Sequence, residues 1–273
     1  MVFLIGVERC VRVKKRCDIQ IWRASPSHMD HARWRQLTSL LDLAERSEAF
    51  KFRQEVDRKA YVLVHGLRRL VLSDMLGVAP TALVFRYDKK GKPQLVEPPH
   101  QPIHFSHSHT RNGALFVAST DVVVGIDAES IGTEPLDFEL LRPYVVCSES
   151  SEMDKKNGTE ASFYRYWTAL EAYSKAVGTG PSTSHPRLLF VPDAQGNWNV
   201  QCDVPNSPEM ATRATQAVIV RVAAPVGCEA SLAILRHAAS PTEISFPEPS
   251  GEKVTLVIHE KELTADFELT RRP

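Results

Sequence analysis

The sequence predicts an α/β chain (α+β in its mix of separate helices and strands) folded as two similar lobes with a cleft between them. Two observations carry this expectation. Runs with helical periodicity are separated by short alternating runs that read as strands. The second half also echoes the first. A helix, Gly77, LVFRYDKKGK (83–92) and ALFVA (114–118) have counterparts in a helix, Gly178, LLFVPDAQGN (188–197) and SLAIL (231–235). A length of 273 residues suffices for one domain or for two similar lobes. A duplicated unit makes a junction, and junctions are frequent ligand sites. The expected division is a leader over 1–17, lobes over 18–120 and 121–238, and an extension over 239–273.

In chain order, the leader ends in the basic run VKKR, and DIQIWRA (18–24) alternates as a first strand. A helical region runs from Met29 to Gly77, whose glycine is a natural stop. Arg46, Arg53, Arg58, Arg68 and Arg69 stud it. Most such arginines are solvated faces, although a cluster suits an anion. LVFRYDKKGKP is a strand entering a Gly turn, and PIHFSHS, GALFVAST and VVVGIDAES read as further strands. The polar run from Ser148 to Gly158 reads as a loop. Ser162 to Gly180 is helical, with Phe163, Tyr166, Trp167, Leu170, Tyr173, Ala176 and Val177 at helical spacing and Gly178 as its stop. RLLFVPDAQGNWNV, AVIVRVAA and SLAILRH follow as strands, and VTLVIHE is one more alternating run inside the proline-bearing extension, which reads as an appendage.

Composition narrows the function. Lys+Arg and Asp+Glu each number 33, so no global basic field argues for nucleic acid. Five scattered cysteines without a CxxC suggest reduced thiols in a cytoplasmic protein. MVFLIGV is too short and lacks the basic start of a signal peptide, and no run is long enough to span a membrane. A monomer is expected.

Three stretches and one helix hold the unusual polar groups. In VVVGIDAES, Asp127 and Glu129 are two apart on a strand and project from one face. Paired carboxylates need a cation beside them, although an acidic strand end in solvent is the plainer alternative. With Glu171 they would make three hard oxygen ligands suited to Mg²⁺. HFSHSH (104–109) admits zinc, but the strand sends His104 to one face and His107 and His109 to the other. A hydrolytic Ser–His reading lacks a GxSxG elbow. Ser106 and His107 suit hydrogen bonding to phosphate, with histidines in a polar turn as the alternative. KKGKP (89–93) is a tight turn presenting Lys92. Neither a Walker loop nor GxGxxG occurs. Trp167, Glu171 and Lys175 lie four apart along one stripe, the acid and base about 6 Å apart along the axis. This pair is either a surface ion pair or part of a site.

GKP, SHS, GID-x-E and W-T-x-x-E-A-x-x-K in this order resemble the surfactin-synthetase-type (Sfp-type) 4′-phosphopantetheinyl transferases, over roughly residues 18 to 238. The resemblance implies a pseudo-dimer of two α/β lobes with the active site between them. The implied reaction moves phosphopantetheine from coenzyme A to a serine of an acyl or peptidyl carrier protein and releases adenosine 3′,5′-bisphosphate. It assigns Asp127, Glu129 and Glu171 to Mg²⁺, Lys175 to a coenzyme A phosphate, and Ser106, His107 and Lys92 to coenzyme A. Arg53 is a further expected contact to that co-substrate, and Glu171 is the expected base for the carrier serine. Leu170 stands where many members carry lysine, which puts any phosphate or carrier contact from that position in doubt. The rival expectations are a Mg²⁺-dependent phosphodiesterase or nuclease and a non-catalytic carrier-binding relative.

Overall fold

A computed structural model describes residues 16–99, 102–132, 141, 143–146, 160–179, 187–193, 196–202, 217–235 and 255–262. Most of the leader, the 148–158 run and much of the extension lie outside the described residues. The first lobe opens with β1 (Arg16–Ala24) and continues through α1 (His31–Leu40), α2 (Leu43–Lys51) and α3 (Glu55–Leu76). Its strands are β2 (Val84–Tyr87), β3 (Pro93–Glu97), β4 (His104–Thr110) and β5 (Gly113–Ser119). The second lobe holds β6 (Val123–Ser130), β7 (Val145–Val146), α4 (Glu160–Val177), β8 (Leu188–Pro192), β9 (Trp198–Cys202), β10 (Ala217–Arg221) and β11 (Cys228–Leu235).

Local chemistry explains the helix ends. Asp42 and Glu45 form a reciprocal capping box at the start of α2. Gly77 closes α3 in the left-handed region at φ +66, and Gly178 follows α4 with φ +80. Both stops fall where the sequence places them.

The internal echo is a real duplication of form. In each half a helix and glycine lead to a hairpin and then to a second antiparallel pair. β5 pairs antiparallel with β1, as β11 does with β6. Three hydrogen bonds recur in the two hairpin turns. In the first, Asp88 N donates to Lys92 O, Gly91 N to Asp88 O, and Lys92 N to Asp88 Oδ1. In the second, Asp193 N donates to Asn197 O, Gly196 N to Asp193 O, and Asn197 N to Asp193 Oδ1. Gly91 and Gly196 both sit at φ +82, which favours glycine.

The sheets have orders β12-β1-β5-β4 and β6-β11-β10-β9-β8-β7, with β2-β3 apart. Here β12 (Thr255–Glu262) comes from the extension and runs parallel to β1, from Arg16 opposite Thr255 to Arg23 opposite Glu262. The expected appendage therefore supplies an edge strand to the first lobe. Ile19, Ile21, Leu115 and Val117 of one sheet pack against Val124, Ile126, Leu232 and Ile234 of the other and seal the lobes together. The opposite faces are covered by α3 and α4 in two separate cores.

Arg68 and Arg69 are not on a solvated face. Both are fully buried. Arg68 Nη2 meets Glu45 Oε1 at 2.5 Å, Arg69 Nε meets Glu45 Oε2 at 2.6 Å, and Arg69 Nη2 meets Asp42 Oδ2 at 2.6 Å. Their anion is the α2 capping box itself, and this network ties α2 to α3. Among the described residues no helix is long and apolar enough to cross a membrane.

Candidate active site

The site forms where the edge strands β4 and β6 meet under the C-terminal half of α4. Gly125 makes that meeting possible. A Cβ there would lie 2.1 Å from the Ala172 carbonyl oxygen and 2.5 Å from the Ala176 nitrogen, so the bare backbone lets α4 settle directly on β6. Two residues on along the same face, Asp127 is buried beneath the helix. Its Oδ1 accepts from Lys175 Nζ at 2.6 Å and from Ser108 Oγ at 3.0 Å. Its Oδ2 is buried with no partner.

The three acidic residues interact electrostatically. Burial and then the Asp127 charge raise Glu129 to about 7, partly offset by a hydrogen bond from Trp167 and by Lys175. Glu171 also raises Glu129 slightly. Burial and the Asp127 charge raise Glu171 too, against the pull of Lys175. The carboxylates thus crowd one crevice in which ionisation is unfavourable without added positive charge. Among the described residues, however, no three His, Cys, Asp or Glu side chains are placed so that together they could hold a metal ion. Lys175 supplies the positive charge beside Asp127 instead. The same observation leaves the zinc reading of HFSHSH without a cluster.

A cavity of about 290 Å³ opens beside the carboxylates, lined by Lys92, Ser106, His107, Glu171 and Lys175 among others. Ser106 Oγ accepts from Ile126 N at 3.2 Å, pinning β4 to β6. His107 is driven well below the usual histidine range by burial and then by Arg68, His65 and Lys175, so it is a neutral imidazole. Its Nδ1 is buried without a partner. Lys92 reaches inward, and its Nζ donates to the Lys175 carbonyl at 2.6 Å.

The cavity and the Asp127 crevice therefore gather seven of the eight expected residues. Arg53, on the exposed link between α2 and α3, does not line the cavity. Leu170 is 3% exposed inside the second lobe's core, so a longer charged side chain at this place would start from the wrong face of α4. Reading the sequence alone missed Ser108 and the reason for Gly125. Ser108 was findable, since alternation puts it on the same side of β4 as Ser106.

Fold and site together define a class: a duplicated α/β protein with one acidic, lysine-braced crevice at the seam of its lobes. Family comparison makes the class specific. Residues 21–121 match the N-terminal 4′-phosphopantetheinyl transferase model, and residues 123–220 match that of the 4′-phosphopantetheinyl transferase superfamily. The chain is 30% identical to the 4′-phosphopantetheinyl transferase HetI of Nostoc over 170 residues, 60% of this chain and 70% of that protein. It is 27% identical to a putative 4′-phosphopantetheinyl transferase of Synechocystis over 57% of this chain and 68% of that protein. It is also 28% identical to the transferase psf-1 of Bacillus pumilus over 54% and 62% respectively. The chain belongs to the 4′-phosphopantetheinyl transferase superfamily.

Proposed function

We propose that this enzyme carries the 4′-phosphopantetheine arm of coenzyme A to a serine of an acyl or peptidyl carrier protein, with Asp127, Glu129 and Glu171 holding Mg²⁺. The observation that carries the reading is Asp127, a buried carboxylate with one oxygen on Lys175 and the other without a partner. Glu129 and Glu171 beside it are both destabilised as anions. Hard oxygen donors short of positive charge fit a small divalent cation. When bound, Mg²⁺ would neutralise the non-bridging phosphate oxygens as charge develops on them.

The chain's own groups do the rest. Lys175 lines the cavity with its ammonium 2.6 Å from Asp127, ready to pair with phosphate. His107, held neutral, offers a hydrogen bond rather than a second charge. Glu171 is the base for the carrier hydroxyl. The serine oxygen bonds to the phosphorus carrying pantetheine as its proton passes to Glu171. The bond from that phosphorus to the bridging oxygen breaks, and adenosine 3′,5′-bisphosphate departs with the electron pair. The placement is cytoplasmic and the active form a monomer.

Purified protein incubated with coenzyme A, Mg²⁺ and a panel of apo-carriers is read by intact mass. A phosphopantetheine-sized gain is expected, lost in Asp127→Asn and Glu171→Gln while circular dichroism stays native. Full transfer by either variant overturns the site, and no gain on any carrier overturns the function.

A further inference from the structure

The resemblance places Lys92 against coenzyme A, but its ammonium is engaged elsewhere. The turn that presents it is rigid. Asp88 Oδ1 accepts from Lys90 N at 2.8 Å and from Lys92 N at 2.9 Å, and Gly91 turns the chain at φ +82. From this platform Lys92 Nζ donates to the Lys175 carbonyl at 2.6 Å and to the Ala176 carbonyl at 3.2 Å. Lys90 Nζ donates to the Thr179 carbonyl at 2.6 Å. The partners lie across the lobe boundary, in the last turn of α4 and just beyond it.

The last carbonyls of a helix lack intrahelical donors and carry the negative end of its dipole. The terminal turn of α4 sends the Gly178 and Thr179 amides to Ser174 O, at 2.8 and 3.2 Å. Lys92 serves the next two carbonyls. One belongs to Lys175, whose side chain is 2.6 Å from Asp127, and Glu171 lies one turn back on the same stripe. Whatever holds this turn also holds those two side chains over β6.

We propose that Lys92 is a positioning residue, an inter-lobe cap on α4 that aims Lys175 and Glu171 at Asp127, with Lys90 steadying the same turn. Two of its three donors are spent on helix carbonyls. Its effect on transfer therefore passes through Lys175 rather than through direct contact with the co-substrate. Only the kinetic consequence rests on the transferase reading; the cap stands without it.

Two measurements test the proposal on the full-length protein. Hydrogen exchange without any ligand compares wild type, Lys92→Met and Lys92→Arg. The amides of 176–179 should exchange at least about ten-fold faster in Lys92→Met and stay near wild type in Lys92→Arg, which keeps a cation. Unchanged exchange in Lys92→Met overturns the cap even if transfer itself is never observed. Kinetics then compare Lys92→Met, Lys175→Met and the double variant. Lys92→Met alone should cost about ten-fold in kcat/KM, and less than about two-fold once Lys175 is gone, since neighbours acting through one another are not additive. Full additivity, or a rise confined to the KM for coenzyme A, makes Lys92 a direct ligand and overturns the positioning role.

Discussion

Gly125→Ala tests whether the helix-to-strand distance sets the site. The new methyl would sit 2.1 Å from the Ala172 oxygen, 2.5 Å from the Ala176 nitrogen and 3.0 Å from the Ala176 Cα. Ordinary contacts to carbon lie near 3.5–4.0 Å, so α4 must retreat by roughly 1 Å or more. All three clashing atoms are backbone, and no rotamer change relieves them. Overpacking of this kind costs about 1–3 kcal/mol. In a chain of this size each 1 kcal/mol lowers Tm by about 2–4 °C, so a fall of roughly 2–12 °C is expected. The functional effect is larger. The 2.6 Å Lys175–Asp127 contact opens past hydrogen-bond range, and a misplacement near 1 Å costs about 10²-fold in rate. Melting curves and a carrier mass-shift time course read both effects. A variant that keeps wild-type Tm and rate refutes the close-approach argument. One that loses stability but transfers at full rate refutes its link to the site.

Three further outcomes are expected. Lys175→Met should destabilise the metal-free protein by about 1–2 kcal/mol, a buried-pair loss discounted because the lysine is 33% exposed, and Mg²⁺ should restore part of it; equal melting midpoints with and without the substitution would argue against the ion pair. Burial, followed by the Arg68 charge, depresses His65 to about 3 from its usual 6.5. The unfolded chain binds that proton below about pH 6.5 while the folded chain refuses it until about pH 3, so stability is present above 6.5 and lost as pH falls. Urea melts between pH 7 and 4.5 should show His65→Phe with a shallower acid slope, by up to about 1.4 kcal/mol per pH unit, and parallel slopes would mean that His65 is charged in the fold. Ending the chain at residue 238 removes β12 and exposes the β1 edge, so concentration-dependent self-association by sedimentation is expected; a strictly monomeric truncation would contradict the edge-covering role.

Local signals in the sequence carried α4 furthest. Its apolar spacing and terminal glycine fix the helix, and the four-residue interval of Glu171 and Lys175 fixes their common stripe. Alternation likewise put Asp127 and Glu129 on one face of β6. What stayed hidden depends on distant partners. Arg68 and Arg69 read as solvated because nothing local shows that Glu45, more than twenty residues away, closes over them. The partner of VTLVIHE is β1, at the other end of the chain, and parallel pairing leaves no turn signal between them. The direction of Lys92 depends on where α4 ends across the lobe boundary, which spacing within KKGKP does not encode.

Duplication of the fold raises the question of why two similar lobes carry one acidic crevice rather than two. Register gives the answer. Aligning the echoed strands sets Phe116 against Ala233 and Ala114 against Ser231. Their ladder partners are Trp22 and Ala24 in the first lobe, and Gly125 and Asp127 in the second. Where the second lobe has bare backbone the first has an indole, buried in the core beneath α3. A tryptophan there keeps α3 off β1 as surely as Gly125 admits α4 to β6. Where the second lobe has the buried aspartate the first has alanine, which offers no ligand. The helices differ at the matching places too. Counting back from Gly77 and Gly178, Leu70 stands in place of Glu171 and Asp74 in place of Lys175. At Asp74 the charge is reversed. Both helices cover apolar cores, but Leu70 is buried in the first one, whereas Glu171 and Lys175 line the cavity beside the second. The first lobe still serves the site, because β4 brings Ser106, His107 and Ser108 to the seam and the Lys92 turn reaches the end of α4. Restoring Asp127 chemistry in the first lobe would thus require removing the Trp22 ring as well as placing an acid at Ala24, since a carboxylate without a close helix above it has no lysine to meet.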